Sequence, residues 1–191
     1  THYVEVTAAT QTAVCSINGK NYSTLYEALQ AAGSGDEITV LSDIDEQDST
    51  FVQYNNYNSI TINLAGKAVQ FGKLQVGASL TIKNGTMTTT IDNANVNFSD
   101  ALTIDAATVT VVEDVPYALQ WTAKNINIVN GGQLHVLGDI YVGGGDDDGF
   151  NLTIDATSSM SLNGGAVGGY NPSLVAAQLN QYMPDGYSVD E

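Results

Sequence analysis

From Ile38 onward the chain alternates: an apolar residue, usually a Thr or Asn, a second apolar residue, then a small or polar pair that interrupts the run. The unit recurs as EITVLS, SITINLAG, SLTIKNGT, ALTIDAAT, NINIVNGG and NLTIDATS. Its first apolar residues are Ile38, Ile60, Leu80, Leu102, Ile126 and Leu152, at spacings of 22, 20, 22, 24 and 26 residues. Alternation at period two predicts half-buried strands. A steady longer rhythm predicts that each turn of chain returns to the same place one strand higher, which is a β-solenoid. Six recurrences predict about six coils, with two inward stacks. One is Ile38, Ile60, Leu80, Leu102, Ile126 and Leu152; the other is Val40, Ile62, Ile82, Ile104, Ile128 and Ile154.

Further short runs, among them KAVQF, TVTVV, QLHVL and SMSL, give each coil two or three strands. Gly, Asn and Asp stand between the runs, where corners need positive φ. A sandwich of hairpins would also show alternation, but hairpin turns are scarce. Asn-Gly occurs at 18–19, 84–85 and 163–164, and only the first falls outside the coil rhythm.

Two stretches break the alternation. Over 23–33, Thr24 and Glu27 have capping-box spacing, and Leu25, Ala28, Leu29 and Ala32 form one apolar stripe before Gly33 and Gly35. Over 172–183, Asn171-Pro172 opens a helix whose packing face is Leu174, Val175, Leu179 and Tyr182. The GYSV that follows is expected to add an edge strand. A solenoid leaves an open core and unpaired edges at each end, so both helices are expected to be caps. Residues 1–14 are taken as a leader or linker and 15–191 as a single domain, with the coils over 38–170.

Composition adds the surface. The 191 residues are 43% hydrophobic, enough for a core, with five Lys, no Arg and 21 acidic residues, for a net charge of −16. Such a surface repels phosphate backbones and anionic headgroups, so nucleic acid and membranes are poor partners. Membrane insertion is not expected, because no apolar run is long enough to span. Cys15, the single cysteine, excludes an intramolecular disulfide and is expected to be a small buried residue. A start at Thr1 is what a processed chain, or a module of something larger, would show.

The segment NGKNYSTLYEALQAAGSGDEITVLSDI resembles the opening of pectate-lyase-like right-handed parallel β-helix modules of large secreted or cell-wall proteins of Gram-positive, often gut-dwelling, bacteria. The residues that carry it include Asn18, Gly19, Tyr22, Thr24, Leu25, Glu27, Gly35, Asp36, Ile38 and Asp43. SITINLAGKAV, with Leu64, Gly66 and Lys67, resembles the strand that follows in those modules, and YMPDGYSV their ending. The opening match covers about 50 residues, and the rest matches by rhythm. The resemblance implies a right-handed β-helix in an extracellular setting, and it carries over no catalytic residues.

Candidate chemistry lies on the loops and outward faces. Asp146, Asp147 and Asp148, in GGGDDDGF, could supply oxygens to Ca²⁺, although a solvated acidic turn stands ahead of that reading. No other cofactor is indicated. An outward column of Thr39, Thr61, Thr81, Thr103, Asn127 and Thr153 reads as sheet stabilisation. A second outward rank is Leu41, Asn63, Lys83, Asp105, Val129 and Asp155. Its Asp105 and Asp155, two rungs apart at about 9.6 Å, have the separation of an inverting carboxylate pair. His135 should point outward and Trp121 inward. Tyr54 and Tyr57, among asparagines, are the aromatic residues best placed to contact a sugar ring.

The expected role is a non-catalytic structural or adhesive module, secreted or attached to a bacterial cell wall, whose partners would be glycans or host and cell-surface proteins. The alternatives are a polysaccharide hydrolase or lyase of this fold, resting on Asp105 and Asp155, and a Ca²⁺-dependent binding module.

Overall fold

The computed structural model describes residues 12–53, 57–93, 100–112, 117–122, 125–143, 150–163, 165–169, 171–183 and 185. The elements run β1 (Cys15–Ile17), β2 (Lys20–Tyr22), α1 (Leu25–Ala31), β3 (Glu37–Val40), β4 (Ile44–Val52), β5 (Ile60–Asn63), β6 (Ala68–Val76), β7 (Leu80–Asn93) and β8 (Ala101–Val112). They continue as β9 (Leu119–Trp121), β10 (Asn125–Val129), β11 (Gln133–Leu137), β12 (Ile140–Val142), β13 (Asn151–Ile154), β14 (Ser159–Asn163), β15 (Val167–Gly169) and α2 (Pro172–Asn180).

Among the described residues, every strand pair beyond the opening hairpin and its junction with β3 is parallel, and together they wind an all-β solenoid of about five turns. Three faces run along it. The first stacks β3, β5, the start of β7, the start of β8, β10 and β13. The second stacks the starts of β4 and β6, the middle of β7, the end of β8, β11 and β14. The third stacks the ends of β4, β6 and β7, then β9, β12 and β15. The six anchors counted in the sequence are six rungs. The climb between the first and last of them closes only about five turns, so the count of six coils is high by one.

The interior follows the predicted parity. Ile60, Leu80, Leu102, Ile126 and Leu152 lie in register, as do Ile62, Ile82, Ile104, Ile128 and Ile154. The first rung departs from prediction: Ile38 pairs with Ile62, not Ile60, and Thr39 with Asn63, not Thr61. The slip is two residues, so each side chain keeps its face. Two contacts favour it. On its other edge β3 is held by the antiparallel β1, Cys15 facing Val40, and the slip places Glu37 beside Thr61. There Asn63 Nδ2 donates to Glu37 Oε1 at 2.7 Å and Lys83 Nζ lies 2.8 Å from Glu37 Oε2. Lys83 first, then Asn63, hold the Glu37 carboxyl below the usual carboxylate range. The outward column therefore begins with Glu37, and Leu41 falls outside the second rank.

The Asn18-Gly19 pair outside the coil rhythm makes the β1–β2 hairpin, with φ of 49° and 82°, as a tight two-residue turn requires. At the corner between the first and second faces, Asn84 and Asn130 take φ of 59° and 55°, and so do Ala65 and Ala106 at 49° and 50°. An alanine side chain cannot hydrogen-bond to favour this conformation; at Ala65 the backbone N–H donates instead to Asn63 Oδ1 at 3.1 Å, and the stacking of coils holds the corner there.

Helix α1 buries Leu25, Ala28, Leu29 and Ala32 over the first coil, as the stripe predicts. It is shorter than expected, Leu25–Ala31 rather than 23–33. Thr24 caps it by accepting from Glu27 N–H at 3.0 Å, while the Glu27 carboxylate accepts from Ser23 N–H rather than from the cap residue. The stronger fastening comes from outside the helix. Glu46, on β4, accepts from Leu25 N–H at 2.7 Å through one oxygen and from Tyr26 N–H at 3.1 Å through the other. A carboxylate at a helix N-terminus satisfies two orphan donors and opposes the positive end of the dipole. Glu46→Ala is expected to cost about 1.5–3 kcal/mol, as for hydrogen bonds to a charged group. Urea unfolding would measure it, and a loss no larger than that of an exposed carboxylate such as Asp48→Ala would show the clamp to be inert.

Helix α2 buries Val175, Ala176 and Leu179. Its packing face differs in part from the expected one: Leu174 is exposed, and Tyr182 lies beyond the helix, reaching back with its hydroxyl to donate to Leu152 O at 3.0 Å. The stretch expected to form an edge strand, 186–189, lies outside the described residues.

Candidate functional site

The paired aspartates expected to face a substrate are held by one asparagine. Asn130, at the corner after β10, donates its backbone N–H to Asp155 and its side-chain Nδ2 to Asp105 Oδ1 at 2.7 Å. Asp155 also accepts from Thr157 N–H at 2.9 Å and Thr157 Oγ1 at 2.8 Å. Ser158 first, then the Asn130 and Thr157 groups, hold its carboxyl far below the usual carboxylate range. A general acid needs the opposite shift, so that it still carries a proton near neutral pH. These contacts suit a clasp between coils.

Other aspartates act in the same way. Asp43 accepts from Ala68 N–H of the next coil at 2.9 Å, and Asp139 from Ala166 N–H of the next coil at 2.8 Å. Ser158 accepts from Gly131 N–H. Sequence reasoning missed this use of the acidic residues. Its signal is an aspartate at or just after a strand end, facing a small-residue corner one coil away.

Of the aromatic pair, Tyr57 is described and 44% exposed, while Tyr54 lies outside the described residues. The Tyr57 ring packs closely against Gly77: a Cβ there would sit 1.7 Å from ring carbon Cδ1. Asp146, Asp147 and Asp148 also lie outside the described residues. Among the described residues no three His, Cys, Asp or Glu side chains gather as a metal site. His135 points outward between Thr110 and Ser161 in register, with its Nδ1 2.7 Å from Ser161 Oγ. Trp121 is fully buried, and its indole Nε1 has no hydrogen-bond partner among the described residues.

Cys15 is fully buried, as expected. Burial first, then the charge of Glu46, push its thiol up to about 12. The thiolate is the reactive form, so a maleimide or disulfide reagent at pH 7 should label Cys15 only as fast as the chain unfolds. Because the folded value is raised, its contribution to stability is complete below the unfolded value of 9.0 and is lost as pH rises towards about 12. Prompt labelling in native buffer would contradict this.

Besides an open hollow along Asp45, Glu46, Gln47, Asp48 and Ser49 of β4, two others are lined by described residues. One, of about 530 Å³, lies between the last rung and α2, with Leu152, Ile154, Met160, Leu162, Leu179 and Met183 in its wall. It is the part of the solenoid's open end that α2 leaves uncovered. The other, of about 330 Å³, is a polar notch where the second and third faces meet, lined by Gln47, Thr50, Gln70, Gly72, Lys73 and Thr88 among others. Neither was foreseen from the sequence: the first depends on how far α2 reaches across the last rung, the second on how corners of different length meet.

Comparison with known proteins gives no match to a family model, a curated protein or a solved structure.

Proposed function

We propose that this chain is a non-catalytic structural or adhesive module of a secreted or cell-wall-attached bacterial protein, a rigid column that presents its faces to glycans or to host and cell-surface proteins. The observation that carries the reading is the use of the corner aspartates as clasps. Asp43, Asp105, Asp139 and Asp155 each hold a group from a neighbouring coil. Groups tied in this way stiffen the column, and Asp155, its carboxyl held far below the usual carboxylate range, is poorly suited to act as a general acid. The opening segment's resemblance to pectate-lyase-like surface modules supports the extracellular, Gram-positive setting. The acidic surface supports a partner other than nucleic acid or anionic lipid.

Two measurements test the proposal. Incubation with acidic and neutral polysaccharides should give no turnover, and turnover lost in Asp105→Ala would replace the reading with that of an enzyme. Arrays of glycans and of host surface proteins should give a saturable hit on the folded chain. A melt raised by Ca²⁺ and lowered by a chelator would instead favour a Ca²⁺-dependent module at Asp146–Asp148.

A further inference from the structure

The corner between the second and third faces shortens from rung to rung. Between paired positions β4 uses three residues, Gln47, Asp48 and Ser49, where β6 opposite has only Gly72. Across the next interface, β6 uses Phe71 and Gly72 where β7 has only Thr89. The upper coil therefore overhangs the lower ones, and the notch is the space beneath that lip. Its wall carries Gln70 and Thr88, in register on adjacent rungs, with Thr50 and Lys73 in register beside them. Val112, from the rung below, supplies an apolar patch.

We propose that this notch binds a neutral carbohydrate chain lying along the column axis. The inference rests on the glycan-contacting reading above and assigns it a site. Three observations point to this ligand class. Among the described residues, the side chains of Thr50, Gln70 and Thr88 have no hydrogen-bond partner, unlike the corner aspartates. They offer hydroxyl and amide groups, able to donate and accept, with Gln70 and Thr88 one rung apart at about 4.8 Å and Thr50 across the corner beside Lys73. The one cation in the wall is already paired: Lys73 Nζ lies 3.7 Å from Asp92 Oδ2, and the exposed Asp45 and Asp48 on the lip leave a net negative rim that repels anions. Hydroxyl-rich and uncharged is the ligand such a wall selects, with Val112 meeting a sugar's C–H face. The size falls at the small end of ligand sites, enough for a short stretch of chain.

The test is an NMR titration of the ¹⁵N-labelled full chain with neutral cello-, xylo- and manno-oligosaccharides, and with oligogalacturonate as an anionic control. At least one neutral series should shift the amides of Gln70, Lys73 and Thr88. Thr88→Val combined with Gln70→Ala should weaken binding about tenfold or more, from two lost hydrogen-bonding side chains, with the thermal midpoint unchanged. Shifts that cluster around Tyr57, insensitive to that double substitution, would overturn the notch while leaving the glycan reading intact. Stronger binding of the anionic control would overturn the ligand class. Failure of every oligosaccharide to shift any amide would overturn the notch, and the wider glycan reading would fall only if the glycan array were blank too.

Discussion

Ile82→Ala is expected to lower the stability of the chain by about 2–5 kcal/mol, towards the upper part of that range. Ile82 is fully buried, on the third rung, with Ile62 above it and Ile104 below. Removing most of its side chain loses the transfer free energy and leaves a cavity. How much is recovered depends on whether the walls can collapse, and here the parallel ladders fix the rung spacing from both sides. Ile154, on the last rung, provides the comparison. It is only half-buried, beside the 530 Å³ hollow, and nothing in β13 lies beyond it. Ile154→Ala should cost clearly less, roughly 1–2 kcal/mol, since its surface is already partly wet. Urea unfolding followed by far-UV circular dichroism separates the two. A central cavity should also split the transition, because a stack of coils coupled only to nearest neighbours can lose its ends separately. Equal losses at Ile82 and Ile154 would contradict the account of where the core is tight.

The repeat was legible because it depends on parity, and parity survives errors of register. Ile60 through Leu152 stack as read, and even the two-residue slip at Ile38 leaves it facing inward. The caps were legible for a related reason: a seven-residue helix at the end of a solenoid must bury an apolar stripe, and Leu25, Ala28 and Leu29 are that stripe. What could not be read were relations between coils. Nothing near Leu25 in sequence indicates that Glu46, 21 residues on, closes its helix. Asp105 and Asp155 looked like a reactive pair because strand spacing predicts their separation but not Asn130, whose left-handed backbone brings its N–H to one and its side chain to the other. The notch was hidden for the same reason, since it follows from a difference in corner length that only the pairing reveals.

Gly72→Ala is expected to do large damage for a single added carbon. A Cβ at Gly72 would lie 2.4 Å from the carbonyl oxygen of Gln47 and 2.5 Å from that of Ser49. Both are backbone atoms of the coil above, so no rotamer change can relieve the contact. The lip must rise or the ladder between β4 and β6 must part, and overpacking of this kind costs typically about 1–3 kcal/mol, occasionally more. The upper end applies here, because the same coil carries Glu46 and so anchors α1. Gly66 separates steric from conformational causes. Its φ is +79°, and a Cβ added there would meet nothing within 4 Å, so Gly66→Ala should show only the strain of a left-handed alanine, about 1–2 kcal/mol. If the corner is as close as the geometry requires, Gly72→Ala should exceed Gly66→Ala in denaturant titrations. It should also speed labelling of Cys15, which packs in the same cluster as α1. Were Gly72→Ala the milder of the two, the lip would be free to move, and the close contact that shapes the notch would not hold in solution.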